Sequence, residues 1–219
     1  DTVDTPDNVE IVFVIDDDDS ESVAFVDQIG PKLSFGVKRV VVERNKYIFS
    51  DLANQALDSC SGELYLAIGD DGVFRTEGWD AEIREEFEKV DDKILLLHFN
   101  DLSRTCHHLA GHLVVHQNWV DTLGYFAAPW FNGDWGDWWL THLADGISRR
   151  KYRSDIIIEH LNIQFGKALP DETYYEHKVR REALQSPDKN PDHPFNTKAH
   201  LKKQDTESLQ SFIDSRKRK

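Results

Sequence analysis

Two apolar runs that each break off in adjacent carboxylates constrain this chain most. Val9 to Ile15 reads VEIVFVI and stops at Asp16-Asp17-Asp18-Asp19; Leu64 to Ile68 reads LYLAI and stops at Gly69-Asp70-Asp71. Continuous β-branched and aromatic runs predict strands buried on both faces. Lys38 to Val42 (KRVVV) and Ile94 to Phe99 (ILLLHF) read the same way. Helices are expected between them: one capped by Ser20 and ended by Gly30-Pro31, one capped by Ser50 and running to Leu57, and one from Trp79 to Val90. This alternation predicts an α/β sandwich with a largely parallel sheet. Ligands of such sheets sit beyond the carboxyl ends of the strands, where both acidic clusters fall.

The second half is patterned differently. Short strands are expected at Leu113–Val115 and Ile156–Glu159, and a short helix at Asn118–Leu123. An aromatic loop, PWFNGDWGDWW, leads into a helix that ends near Ile147. From Pro170 the chain turns polar, with a helix near Glu172–Leu184, a Pro/Asp/Asn-rich linker from Ser186 to Pro194 and a weak helix near Ser208–Ser215. The reading divides the chain into a domain over 1–185 and a polar, solvated tail over 186–219.

Hydrophobic residues make up 39% of the 219, and aromatics 11%, so the chain is globular and long enough for a full core. Its 26 basic and 40 acidic residues give a net charge of −14, a field that repels nucleic acid and anionic membrane. A bound nucleotide would therefore need local devices: a metal ion, backbone N–H groups or a few arginines. Cys60 and Cys106 form no CxxC pair, which points away from zinc ribbons and disulfide scaffolds and towards a reducing compartment. No apolar run reaches the length of a membrane span, and no signal peptide is evident.

Paired aspartates at a strand end repel each other and lose hydration, an arrangement that persists most easily around a cation. Oxygen ligands select hard ions, Mg²⁺ or Mn²⁺, which keep positions open for phosphates. Asp70-Asp71-Gly72 also has good turn composition, and a solvated turn is the plainer reading of the dipeptide alone. Asp16 to Asp19 reads either as a solvated loop or as strand-end acids that accept from a base N–H or a ribose hydroxyl.

Taken in order, the strand-IDDDD-helix element, Asn54-x-Ala56, SGELYLAIGDD, GWD, LGYF and GDWGDWW resemble the GT-A nucleotide-sugar glycosyltransferases. SRRKYRSDIIIEHLNIQFGKALPDETY, from Ser148 to Tyr174, resembles the late signature of phage and bacterial members. The resemblance implies a metal-dependent, inverting transfer of a sugar from a UDP-sugar to an acceptor hydroxyl. The cofactor it implies is Mn²⁺ or Mg²⁺, and the compartment is the cytoplasm of a bacterial or phage-infected cell. It implies Asp71 as a direct metal ligand, His160 as a second, and Asp70 on the ribose or on metal-bound water. Asp16 and Asp17 match acids that contact uracil or ribose, and Arg44 and Asn54 match pocket-lining positions. Asp137 matches the base that takes the acceptor proton, with Asp134 as runner-up. Lys167 is expected to bind an anion or to form a structural salt bridge. The family's first βα unit, ahead of the VFVIDD strand, is expected to be missing from this chain.

His108, His112 and His116 stand at i, i+4 and i+8, a spacing that would gather zinc ligands on a helix. The apolar Leu113-Val114-Val115, with its two β-branched valines, predicts a strand instead, on which the three lie too far apart to share an ion. Two other functions compete with glycosyl transfer. A nucleotidyltransferase also joins a sheet to carboxylate-bound Mg²⁺, and a non-catalytic GT-A-like module would only bind. The acceptor is open among a modified DNA base, a surface glycan and a protein.

Overall fold

The protein is described here by a computed structural model covering residues 2–44, 48–131, 134–163, 166–170 and 172–217. Asn132, Gly133, Gln164, Phe165 and Asp171 of the quoted motifs, and Arg218 and Lys219 of the polar tail, lie outside these.

Among the described residues, seven strands form two sheets. β1 (Glu10–Asp16) and β2 (Gly36–Val42) pair in parallel through the crossover helix α1 (Ser20–Ile29). The second sheet has the order β3-β6-β5-β7-β4: Leu64–Ala67, Leu113–His116, Leu96–Asn100, Arg150–His160 and Gly72–Phe74. The expected largely parallel sheet is corrected to a mixed one. β5 and β7 run parallel, while β3–β6, β5–β6 and β4–β7 are antiparallel. The two parallel pairs, β1–β2 and β5–β7, are those whose connections have room for helical crossovers.

β1 also departs from expectation. Of its residues only Ile15 is buried, and the rest are half-buried. A two-stranded sheet has too few neighbours to cover both faces of its strands.

The core lies around the five-stranded sheet. On one face, Leu95, Leu97, Phe99, Val114, Ile156 and Ile158 pack against Ile83 and Phe87 of α3 (Trp79–Glu88). On the other, Leu96, Leu113 and Val115 meet α4 (Gln117–Leu123) and α5 (Gly136–Gly146). The tail is a correction as well. After α6 (Glu172–Leu184) and the short α7 (Pro194–Thr197), α8 spans Ala199–Arg216 and sinks Leu209 and Ile213 into this second core. Tyr125 donates to Asp205, and Lys202 Nζ stands 4.1 Å from the centre of the Phe195 ring. The apolar positions of α8 are sparse, so its charged residues mask the stripe in a sequence reading.

Local caps differ in detail. Asp19, not Ser20, caps α1, its carboxylate accepting from the Ser22 N–H at 2.9 Å. Ser50 lies inside α2 (Ile48–Ala56), buried, and donates to the Phe131 carbonyl.

The Gly78-Trp79-Asp80 element has a structural task. Gly78 adopts φ +69 as the N-cap of α3, a conformation that suits glycine. Asp80, almost fully buried, accepts from Asp4 N–H (2.8 Å), Thr5 N–H (3.1 Å) and Thr5 Oγ1 (2.7 Å), and pairs with Arg84 at 2.8 Å. Burial pushes this carboxyl up, but the four donors outweigh it and hold it far below the usual range. Replacing Asp80 by Ala strands these donors and the Arg84 charge. It should lower unfolding free energy by about 3 kcal/mol in urea denaturation, with Asp80→Asn recovering part of the loss.

Candidate active site

The turn after β3 delivers the acidic pair. Gly72 N–H donates to the Gly69 carbonyl at 3.1 Å, closing the turn, and Asp71 then enters beside β4. A Cβ on Gly69 would lie 2.7 Å from Asp71 Oδ1, so the turn needs glycine there to leave the carboxylate its place. β4 pairs with the end of β7, Gly72 opposite His160. That register puts Asp71 Oδ2 3.0 Å from His160 Nε2. The late histidine and the strand-end aspartate, expected as partners, meet.

Two further groups converge here. His160 N–H donates to the Asp101 carbonyl at 3.1 Å, and Asp101 is itself buried at the end of β5. His112, also buried, bonds the Ile158 carbonyl through Nδ1 at 3.1 Å, its ring centre 5.0 Å from that of His160. Asp101 was missed in the sequence, although the rule that singled out Asp71, an acid just past a buried strand, applies equally to the ILLLHFND run.

The hydrogen bond from His160 holds Asp71 below the usual carboxylate range despite burial, and the same bond lifts the His160 imidazole. Burial and the neighbouring His160 push His112 down. Among the described residues no three His, Cys, Asp or Glu side chains are grouped to enclose a metal ion. A carboxylate oxygen and an imidazole nitrogen facing each other, with the exposed Asp70 adjacent, fit an ion whose remaining positions go to phosphate and water.

Asp137 stands in the first turn of α5, beside a small apolar pocket lined by Phe49, Ala67, Gly111, Leu113 and Phe126 among others. Burial pushes its carboxyl up to about 6, a bond from the Trp138 N–H (2.8 Å) opposing and the charge of Asp134 reinforcing the shift. Gly111 stands between the pocket and Asp101. It lines this pocket, and a Cβ built on it would lie 3.1 Å from Asp101 Oδ2.

The remaining predicted residues are spread over several places. Asp16, Asp17 and Arg44 gather at the carboxyl ends of β1 and β2. Asp17 accepts from the Arg44 N–H at 3.2 Å, and Arg44 pairs with Asp18 at 3.0 Å. Burial raises the Asp16 carboxyl, with Arg44 opposing and its acidic neighbours adding to the rise. Asn54 is engaged elsewhere: its amide takes the N–H groups of Phe126 (2.9 Å) and Ala127 (3.0 Å) and donates to the Ala127 carbonyl (2.7 Å). Lys167 forms a salt bridge to Glu159 at 2.9 Å, and Asp134 is held by Arg181. Of the three spaced histidines, His108 lies in a turn, His112 just ahead of β6, and His116 caps α4 through Nδ1.

No protein-family model and no curated protein matches the sequence. Solved structures share the fold. S. aureus TarS 1-349 in complex with UDP aligns over 99% of this chain and 85% of its own, at 13% identity and a TM-score of 0.57. A second S. aureus TarS structure aligns over 84% of this chain and 35% of its own, at 15% identity and a TM-score of 0.54. The chain thus has the GT-A fold that its motifs resemble. No helix among the described residues is long and apolar enough to cross a membrane.

A Gly69→Ala replacement tests how the site is built. The new methyl should displace the Asp71 carboxylate and let the His160 titration midpoint fall towards the ordinary histidine value in NMR, with little change in thermal midpoint. An unmoved His160 midpoint would contradict the assigned geometry.

Proposed function

We propose that this chain is a metal-dependent glycosyltransferase that moves a sugar from a UDP-sugar to an acceptor hydroxyl, with inversion and with Asp137 as the base. The observation that carries this reading is the meeting of Asp71 and His160 at the strand ends of a GT-A fold, with Asp137 lining a pocket that reaches Gly111 beside Asp101. TarS, which shares the fold, was crystallised with UDP.

Asp71 and His160 would hold the ion. When bound, it supplies positive charge against the diphosphate as that group leaves. Asp16 and Asp17 are assigned to the nucleoside, their carboxylates accepting from ribose or base, and Arg44 orients them through Asp17 and Asp18. Asn54 keeps the Phe126-Ala127 wall of the pocket in place. Asp137 takes the proton of the acceptor hydroxyl as its oxygen bonds the anomeric carbon. The bond from that carbon to the β-phosphate oxygen breaks, and its electron pair leaves with UDP. The apolar walls around Asp137 keep the carboxylate basic enough for this step.

Replacing Asp71 or His160 by Ala should abolish Mn²⁺-dependent UDP binding in calorimetry. Binding that survives both changes removes the metal site from the account.

The raised Asp137 carboxyl sets a pH dependence. The group loses its proton as pH rises through about 6, so transfer should climb between pH 5 and 7. Stability moves the opposite way: folding favours the protonated form, so its contribution falls from the ordinary carboxylate pKa up to about 6. Asp137→Asn should lower kcat by roughly 10²–10⁴ with UDP binding intact. Transfer that persists at wild-type rate would reassign the base.

A further inference from the structure

α6 turns Tyr175 and Val179 to solvent, at 55% and 66% exposure, so much of its apolar surface does no packing. Its Arg181, by contrast, is held in a defined place. The guanidinium forks onto Asp134, Nε 3.1 Å from each carboxylate oxygen and the terminal nitrogen 2.8 Å from Oδ1. Paired donors of this kind fix direction as well as charge.

Asp134 belongs to the turn that leads into α5. The next residue, Trp135, is the helix N-cap and adopts φ +77, ψ −9, a left-handed conformation that costs a bulky residue on the order of 1 kcal/mol or more. Such a turn persists only when its surroundings over-determine it. Trp135 is gripped from one side by His193 in an edge contact with ring centres 5.1 Å apart, and by Phe195 at 6.2 Å. The Arg181–Asp134 fork secures the other end of the turn. Asp137 follows directly in the first turn of the helix.

We propose that Arg181 is a positioning residue for Asp137. Acting through Asp134, it pins the strained turn ahead of α5 and neutralises the negative charge that Asp134 sets beside the Asp137 carboxyl. The charged groups that act most strongly on this carboxyl are Asp134 from its own turn and Arg181 from α6. Phe49 and Ser50 of α2, Ala67 of β3 and Leu113 of β6, which line the pocket, carry no charge. The catalytic meaning of the proposal rests on Asp137 being the base; its physical content does not.

The test is a carbon-13 titration of the Asp137 side-chain carboxyl in the full chain, which needs neither donor nor acceptor. Arg181→Gln leaves Asp134 charged and unpaired, and should raise the Asp137 midpoint by about half a unit or more. Asp134→Asn should lower it. In the Asp134→Asn background, Arg181→Gln should shift the midpoint by less than a third as much, because its route through Asp134 is gone. Arg181→Lys keeps the charge without the fork, guards against a Gln variant that fails to fold, and should fall between wild type and Gln. An Asp137 midpoint unmoved by either Arg181 replacement, or a shift undiminished in the Asp134→Asn background, overturns the proposal. Should Asp137→Asn still transfer sugar while these shifts appear, the base assignment fails and the coupling stands.

Discussion

The 3.0 Å contact between Asp71 and His160 joins the turn after β3 to the last residue of β7, and much of the surrounding structure serves to bring them there. Glycine at 69 leaves room for the carboxylate, and glycine at 72 closes the turn. Antiparallel pairing of β4 with β7 sets the register that places Asp71 beside His160. The main-chain bond from His160 to Asp101 ties the same point to β5. A slip of one residue in β4 would turn these side chains to the opposite face and dissolve the site.

Around that contact the molecule divides its acids by environment. Asp80 is locked by donors on every side and serves the fold. Asp71 is held ionised by a histidine, and Asp137 is pushed towards protonation by apolar walls. The net charge of −14 describes none of these roles. What each carboxylate can do follows from its neighbours, and pairs of acids with opposed environments are a recurring mark of sites where one holds charge and another moves a proton.

Asp71 and His160 were paired through the GT-A resemblance rather than by any local pattern, whereas the strand runs and the acids at their ends were legible directly, because buried strands and strand-end turns leave strong local patterns. Partners distant in the chain were not. Asp80 reads as a helix-start acid, and only the structure shows Asp4 and Thr5 folded onto it. Asn54 sits at a position that suggests a ligand contact, yet its amide is taken up by the backbone at 126 and 127. α8 hides two core residues among charged ones, so its burial depends on the surface it meets rather than on its own composition. The exposure of β1 likewise follows from sheet order, which no local run encodes.

The central claim is that Asp71 and His160 together receive a divalent ion when a nucleoside diphosphate is present. Paramagnetic broadening tests it most directly: Mn²⁺ is added at substoichiometric amounts to isotope-labelled protein, with and without UDP, and the histidine ring signals are followed. The account predicts that the His160 signals vanish first and only with UDP, that His112 follows at shorter relaxation than His98 or His193, and that Asp71→Ala abolishes the effect. Broadening centred on any other histidine, or none at His160 with UDP saturating, would contradict it.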